Sequence, residues 1–319
     1  DSEVAFVDLE TTSGSLSLKN EMLSESLGTN SKFDFSLSNE LYNMIFKKID
    51  KFFDLGSTIF IYDSDKVRLP LSVLVRSIPK KSNYEKSLVE ADWLIRNYAF
   101  AYIYPSKTVP RSGEYNERFL GLANANSYSW AELPTLKSSI KEVQNLALSS
   151  NGKKENILIN EDASKENFLK KIEKNYERIV IATHAVPEDW KGYTNESALI
   201  LGSTKSDYFL TSSEIAQLNF ESDMVVLSSC SGMSEDFRDL FKSFLVAGAQ
   251  SIVHANWNLE SRFAAEFTDR FFKELWLEKN IEKHEAMRNV ALSFLDDYSN
   301  PMYADPAFWG NFSIGYSSL

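Results

Sequence analysis

Two stretches of this sequence end a run of strand-forming residues in a side chain able to do chemistry. Ile179-Val180-Ile181-Ala182 runs into Thr183-His184-Ala185, and Met224-Val225-Val226-Leu227 runs into Ser228-Ser229-Cys230-Ser231-Gly232. In an open α/β sheet, ligands and catalytic groups gather beyond the carboxyl ends of the strands, so neighbouring parallel strands of this kind would set an imidazole and a thiol on one rim. A thiol of ordinary pKa, about 8.5, is mostly protonated at neutral pH and becomes a strong nucleophile only beside a base or a helix N-terminus. His184 offers the base. A helix expected from Glu235 to Val246 would turn its N-terminal dipole towards the loop of Cys230, and the small residues Ser228, Ser229, Ser231 and Gly232 leave room there for a substrate backbone. The competing reading is ordinary: a lone cysteine is commonly a small buried apolar residue and a lone histidine a satisfied polar one.

Other reactive side chains carry less. His254 lies in a strand-like run and His284 on a helix, so both read as structural. Asp296-Asp297 at a helix end reads as a solvated cap, since adjacent carboxylates on a helix do not face each other. Phe263, Phe267, Phe271 and Leu275 recur at helical spacing and read as core. One cysteine and three histidines exclude an intramolecular disulfide and leave little for a zinc site. Neither a phosphate-binding glycine loop nor a zinc-ligand spacing occurs, which removes nucleotide hydrolysis and metalloprotease chemistry respectively. No cofactor is expected.

The elements that must hold such a pair are legible. Apolar strands (IVIA, MVVL, SIV) alternate with helices through the second half of the chain, the pattern of a parallel sheet covered on both faces. Strands are expected at Glu117 to Ala123, Asn156 to Ile159, Arg178 to Thr183, Ala198 to Leu201, Asp223 to Ser229 and Ser251 to Ala255. Helices are expected from Pro134 to about Leu148, from a Ser164 cap to about Asn175, from Ser212, from Arg262 to Lys279 and from Glu282 to Leu295. An aromatic tail, Pro306 to Tyr316, would add a last strand. Earlier, a helix over Asn39 to Phe53 capped by Ser38 precedes a buried strand at Ser57 to Tyr62. Lys66 to Val75 and Tyr98 to Tyr104 read as hairpin strands near an edge. The first thirty or so residues are rich in Ser, Thr, Glu and Asn, with one short strand at Val4 to Leu9, and read as a loosely attached leader.

Composition narrows the class. With 319 residues, 43% hydrophobic and 25% charged, the chain can bury a sizeable core. Lys plus Arg number 34 against 45 Asp plus Glu, and the net charge of -11 argues against nucleic acid as a direct partner. No apolar run long enough to span a bilayer and no secretory signal pattern occurs, so the expected home is the cytoplasm, with no membrane contact. A first residue other than methionine suggests a piece of a longer protein.

At these residues the sequence becomes familiar. IVIATHA, NESALILG, LTSSEIAQLNFESDMVVLSSCSG and FKSFLVAGAQSIVHANWNLES, in that order, resemble the CHAT family of caspase-like cysteine peptidases. LPLSVLV, the segment Ile103 to Ser106, LPTLKSSIKEVQNLA and DPAFWGNFSIGY look like further landmarks of the same family, so the resemblance spans roughly Leu41 to Tyr316. It implies an α/β fold with a caspase-like, doubly wound, mostly parallel sheet flanked by helices, and a smaller N-terminal α/β companion half. The expected divisions are a partly ordered leader over 1–37, a companion half over 38–131 and a catalytic half over 132–319.

The resemblance also implies roles. His184 would be the general base and acid, Cys230 the nucleophile of an endopeptidase acting through a thioester, and the backbone N–H groups of Ala185 and Cys230 the oxyanion donors. The family usually carries glycine where Ala185 stands and alanine where Ser229 stands. The substrate pocket would draw on Ser229 and on the loop Asn256 to Glu260, with Trp257 lining it and Glu260 reading a basic residue before the scissile bond. Against this stands the bland reading of Glu260 as a first-turn acid of the helix starting near Arg262. The partners implied are a protein substrate and a regulatory partner or upstream repeat or sensor region, in the setting of bacterial signalling or immunity. The alternative function is a non-catalytic CHAT-fold binding or scaffold module in a larger signalling protein.

Overall fold

Short β-branched and aromatic runs cannot bury both faces alone, and here they join one large sheet. The computed structural model describes residues 7, 9, 11–27, 31–62, 70–80, 83–104, 114–126, 128, 133, 135–201, 208–228, 237–257, 261–277 and 281–317. The chain runs through α1 (Ser13–Ser26), α2 (Phe35–Leu41), β1 (Thr58–Tyr62), α3 (Tyr84–Glu90), β2 (Ala99–Ile103), β3 (Glu117–Ala123), α4 (Ser139–Ser149), β4 (Ile157–Ile159), α5 (Lys165–Ile172) and β5 (Tyr176–Ala182). It continues through β6 (Ala185–Val186), β7 (Ala198–Ile200), β8 (Phe209–Thr211), α6 (Ser212–Ala216), β9 (Met224–Leu227), α7 (Arg238–Ala247), β10 (Ser251–Ala255), α8 (Ser261–Leu277), α9 (Lys283–Leu295), α10 (Pro306–Trp309) and β11 (Phe312–Tyr316).

Eight strands form the main sheet in the order β1-β2-β11-β10-β9-β5-β3-β4. All neighbours are parallel except β10 and β11. The sheet is therefore two parallel blocks of opposite direction, and only β10, β9, β5, β3 and β4 deliver their carboxyl ends to the same rim. Within that block the chain steps from β3 outward to β4, then back across to β5 and on to β9 and β10. The carboxyl end between β3 and β5 is thus the topological switch point, where doubly wound sheets open a crevice.

Side chains alternate between the two faces, as pleating requires. Val180, Ala182, Met224 and Val226 join the core that includes Val143 and Leu146 of α4, Phe267 and Phe271 of α8 and Val290 of α9. Ile179, Ile181, Val225 and Leu227 join the opposite core, with Phe168 of α5, Ile215 of α6 and Phe244 of α7. The small sheet β6-β7-β8 stands beyond the end of β5, and its residues Val186, Ala198 and Ile200 share a third cluster with Tyr128 and Tyr208. Ser164 caps α5 through a hydrogen bond from the Asn167 N–H, and Thr211 with Glu214 forms a capping box on α6. Among the described residues no helix is long and apolar enough to cross a membrane.

The first hundred residues depart from the sequence reading. The leader contains α1, and Leu23 and Leu27 at its end are fully buried against the main core. The strand expected at Val4 to Leu9 falls mostly outside the described residues. The helix expected from Asn39 to Phe53 instead starts at Phe35 under an Asp34 cap, passes into a π-helical turn at Tyr42–Phe46 and ends in a 3₁₀ turn at Asp50–Phe52. Ser38 is not its cap. Its buried hydroxyl donates to the Val73 carbonyl and accepts the Val75 N–H, both at 3.0 Å. That tertiary use of Ser38 leaves capping to Asp34.

The hairpin expected around Lys66 to Val75 is likewise replaced, in its described part, by a 3₁₀ turn at Leu71–Val73 and a single bridge from Val75 to Trp93. β2 is no edge strand: it pairs in parallel with β1 on one side and β11 on the other. The sheet also takes strands from both sides of residue 131, since β3 lies between β4 and β5.

Candidate active site

β5 and β9 are adjacent and parallel, with Ile181 opposite Leu227, and the Ser228 N–H extends the ladder by donating to the Ile181 carbonyl at 2.9 Å. His184 lies three residues beyond Ile181, and Cys230 three residues beyond Leu227. Ser229, Cys230 and Glu260 lie outside the described residues. His184 is 4% exposed. Its carbonyl accepts the Ile200 N–H at 2.8 Å, and the buried Thr183 hydroxyl donates to the Ile200 carbonyl at 2.5 Å, so β7 clamps the segment on both sides of the peptide.

Ala185 opposes Leu199 in the antiparallel pair β6–β7. Because the bond between these strands runs from the Ile200 N–H to the His184 carbonyl, Ala185 forms a wide pair and its own N–H faces away from β7. Its φ is not among the positive values, so this strand position carries no left-handed strain for alanine.

Three residues near His184 gave little sign of themselves in the sequence. Tyr128 is buried, sits edge-on to the imidazole with ring centroids 6.3 Å apart, and touches Tyr208 at 5.8 Å. Its hydroxyl accepts a 2.5 Å hydrogen bond from the Asn124 side chain, and burial pushes its pKa upward. Asn124 itself is fully buried just beyond β3, where its N–H donates to the Ala182 carbonyl at 3.2 Å. Asn124 had a readable signal, a polar residue closing a strand. Tyr128 and Tyr208 had none.

At the end of β10, Trp257 belongs to the core. It is 4% exposed, its indole N–H donates to the Ala307 carbonyl at 3.0 Å and its backbone N–H to Asn311 Oδ1 at 3.1 Å. The fully buried Asn311 also accepts the Asn256 N–H at 2.9 Å and donates to the Trp257 carbonyl at 3.1 Å. The polar atoms of Trp257 are thus already engaged within the core. His254 stacks on Phe241 at 4.0 Å and approaches the Tyr104 hydroxyl at 3.3 Å, inside the sheet. His284 meets the Tyr316 hydroxyl at 3.2 Å, and burial lowers its pKa. Neither lies at the rim beside His184.

The segment between β6 and β7 is strained. Asp189 and Lys191 hold φ of 54° and 48°, and Gly192 holds 72°. Left-handed backbone at two non-glycine residues costs free energy, and such strain gathers at switch segments and ligand clamps. Tyr193 there is 52% exposed.

A large, mostly parallel sheet flanked by helices on both faces, with a switch point between β3 and β5, makes this a caspase-like α/β fold. The CHAT domain model matches residues 36–317, and the chain belongs to that family. Among solved structures it is similar to the complex of Porphyromonas gingivalis RgpB pro- and mature domains, with a TM-score of 0.50 at 10% identity, over 93% of this chain and 70% of that one. It is also similar to the Arg-specific cysteine proteinase gingipain R, with a TM-score of 0.49 at 7% identity over 93% and 73% of the two chains. The Saccharomyces cerevisiae separase–securin complex gives 0.44 at 12% identity, over 89% of this chain and 17% of that one. At these identities the likeness is one of fold. No curated protein matches the chain significantly by sequence.

Proposed function

We propose that this chain is a cysteine endopeptidase in which His184 and Cys230 act as a dyad on a protein substrate. The observation that supports the reading is the parallel pairing of Ile181 in β5 with Leu227 in β9, from which His184 and Cys230 each follow three residues later in the sequence. The imidazole takes the thiol proton and the thiolate attacks the scissile carbonyl carbon. The oxyanion that forms accepts hydrogen bonds from the N–H groups of Ala185 and Cys230, and the outward-facing N–H of Ala185 suits this role. His184 then gives its proton to the leaving amine. Water, deprotonated by the imidazole, attacks the thioester, releases the carboxylate product and restores the thiol. Residues 38–131 share the main sheet with 132–319, giving β1 and β2 beside β11 and β3 between β5 and β4.

A second reading has its own support in the burial of His184, which favours a closed site or a binding module. The similar RgpB structure is itself a complex of pro- and mature domains, which fits a site governed by a further segment or partner. An electrophilic peptide probe separates the readings: a dyad labels Cys230 far faster than free cysteine at neutral pH, whereas a scaffold does not. Cys230→Ala and His184→Ala should each abolish cleavage with the fold intact. The double variant should be scarcely worse, because the two act as a unit. Cleavage near the wild-type rate in either single variant would refute the mechanism.

A further inference from the structure

His184 follows the carboxyl end of β5. At the opposite, amino-terminal ends of β3 and β5 lies a pocket of about 220 Å³ that the dyad does not use. It is lined by Arg118 of β3, Glu177 and Arg178 of β5, Ser150 at the end of α4, and Leu275 and Trp276 in the last turn of α8.

The donors in this lining are incompletely engaged. Ser150 is 2% exposed, and its hydroxyl has no hydrogen-bond partner among the described residues. The same holds for the buried Nε of Arg178. Rings hold the Arg178 side chain more than a carboxylate does: its guanidinium carbon lies 5.7 Å from the ring centroid of Phe272 and 6.0 Å from that of Trp276, while Glu177 Oε1 stands 3.5 Å from its Nη2. Glu177 gives its closer contact to Arg118, at 3.1 Å. Buried donors without a protein partner are rare in native structures and are met by water or by a ligand.

We propose that this pocket binds a carboxylate carried on an apolar or aromatic body. Two guanidinium groups and one carboxylate leave the lining with a single net positive charge. One carboxylate neutralises that charge, whereas a phosphate dianion would overshoot it. The neighbouring ion pair of Glu117 and Lys153 adds no net charge. Arg118 and Arg178 supply charged N–H donors and Ser150 a hydroxyl, a set that the two oxygens of a carboxylate can accept. An arginine already laid against two rings keeps its donors in place and loses little freedom on binding. Leu275 and the partly exposed Trp276 give the body of the ligand an apolar wall. The volume falls below the range of about 300 to 1,000 Å³ that drug-sized ligands occupy, so it suits a small organic acid or the last residue of a peptide.

The full chain, labelled with fluorotryptophan and followed by fluorine NMR, gives a readout at the site itself, with the Trp276 resonance identified through Trp276→Phe. Benzoate and N-acetylphenylalanine should each shift that resonance saturably, with half-saturation on the order of 1 mM or below. Benzamide and N-acetylphenylalanine amide, which lack the charge, should bind about tenfold more weakly or worse, and inorganic phosphate more weakly than benzoate. Arg118→Gln should raise the half-saturation concentration about tenfold and Ser150→Ala about threefold or more. The Arg118 side chain is 69% exposed, so this variant keeps the test open should Arg178→Gln fold poorly. Tighter binding of N-acetylphenylalanine than of benzoate would support a peptide terminus as the source of the carboxylate, and the reverse order a free acid. The proposal is overturned by the lack of a saturable shift up to about 20 mM of either acid, by equal binding of acid and amide, by phosphate binding more tightly than benzoate, or by an unchanged titration in either variant. Water would then be what meets Ser150 and Arg178. Neither His184 nor Cys230 enters this measurement, so its outcome is independent of the dyad.

Discussion

At the scale of single residues, the buried carboxyl of Glu142 has a cost that thermodynamic linkage makes measurable. Its pKa is raised from 4.5 to about 7 by burial, so between those values the folded chain holds a proton that the unfolded chain has released. Stability is therefore fully present below about pH 4.5 and declines as pH rises through about 7, by on the order of 3 kcal/mol from this group. Urea unfolding over pH 4 to 8 should show this decline in wild type and its loss in Glu142→Gln; parallel curves would mean that the carboxyl is not desolvated. Asn311 poses the opposite case, a buried group with every partner in place. Asn311→Ala would orphan the Trp257 N–H and carbonyl, while the Asn256 N–H keeps the Asn311 backbone carbonyl at 2.6 Å, and should destabilise the chain by about 2 kcal/mol. An unchanged urea midpoint would show that water replaces the side chain freely.

At the scale of elements, two connections at opposite ends of the sheet differ in kind. The turn from α7 to β10 is rigid: Gly248 holds φ of 137°, and a Cβ there would lie on the Phe220 carbonyl oxygen. Gly248→Ala should lower stability by about 3 kcal/mol or more, read as a fall in Tm; a fall of only a degree or two would mean that the turn rearranges. The connection from β6 to β7 is strained rather than locked, with left-handed Asp189 and Lys191 beside a half-exposed Tyr193. Lys191→Gly should relieve about 1 kcal/mol of that strain. If closure of this loop restrains His184, the substitution should also change peptide-probe labelling of Cys230, while identical labelling would assign the loop to another task.

At the scale of the whole molecule, one sheet joins the elements that carry the expected site to those that brace them. The site rim receives the ends of five parallel strands, and the three strands on the other side of the β10–β11 junction end at the opposite rim. With His184 buried, the free chain should turn over a generic peptide library poorly until a partner or further segment opens the rim, and strong unassisted turnover would contradict this. The acidic chain, with a net charge of -11, suits a basic substrate. Substrates varied at the residue before the scissile bond should be cleaved best with Arg or Lys there, and Glu260→Gln should weaken that preference. An acidic or apolar preference, or no change in the variant, would remove Glu260 from the pocket.

What the sequence determined by itself is what short-range periodicity encodes. The apolar runs of β5, β9 and β10 and the Ser164 cap are local patterns, and each appears in the structure at its place; α6 starts at the expected Ser212, but its cap is Thr211. The position of His184 just past β5 also appears as expected, since strand ends are legible wherever an apolar run stops. Tertiary structure decided the rest. Nothing local told whether Tyr98 to Tyr104 lay at an edge or inside, because that depends on β1 and β11, the latter more than 200 residues away. The end of α1 is buried only because α2 and the core receive Leu23 and Leu27. Trp257 reads as a pocket residue until Ala307 and Asn311, both at least 50 positions on, engage its polar atoms. Glu142 reads as an ordinary first-turn acid until Thr268, 126 positions on, meets it in the interior. A charge written on a helix costs nothing until the fold removes its water, and the removal of water is a property of the packed molecule alone.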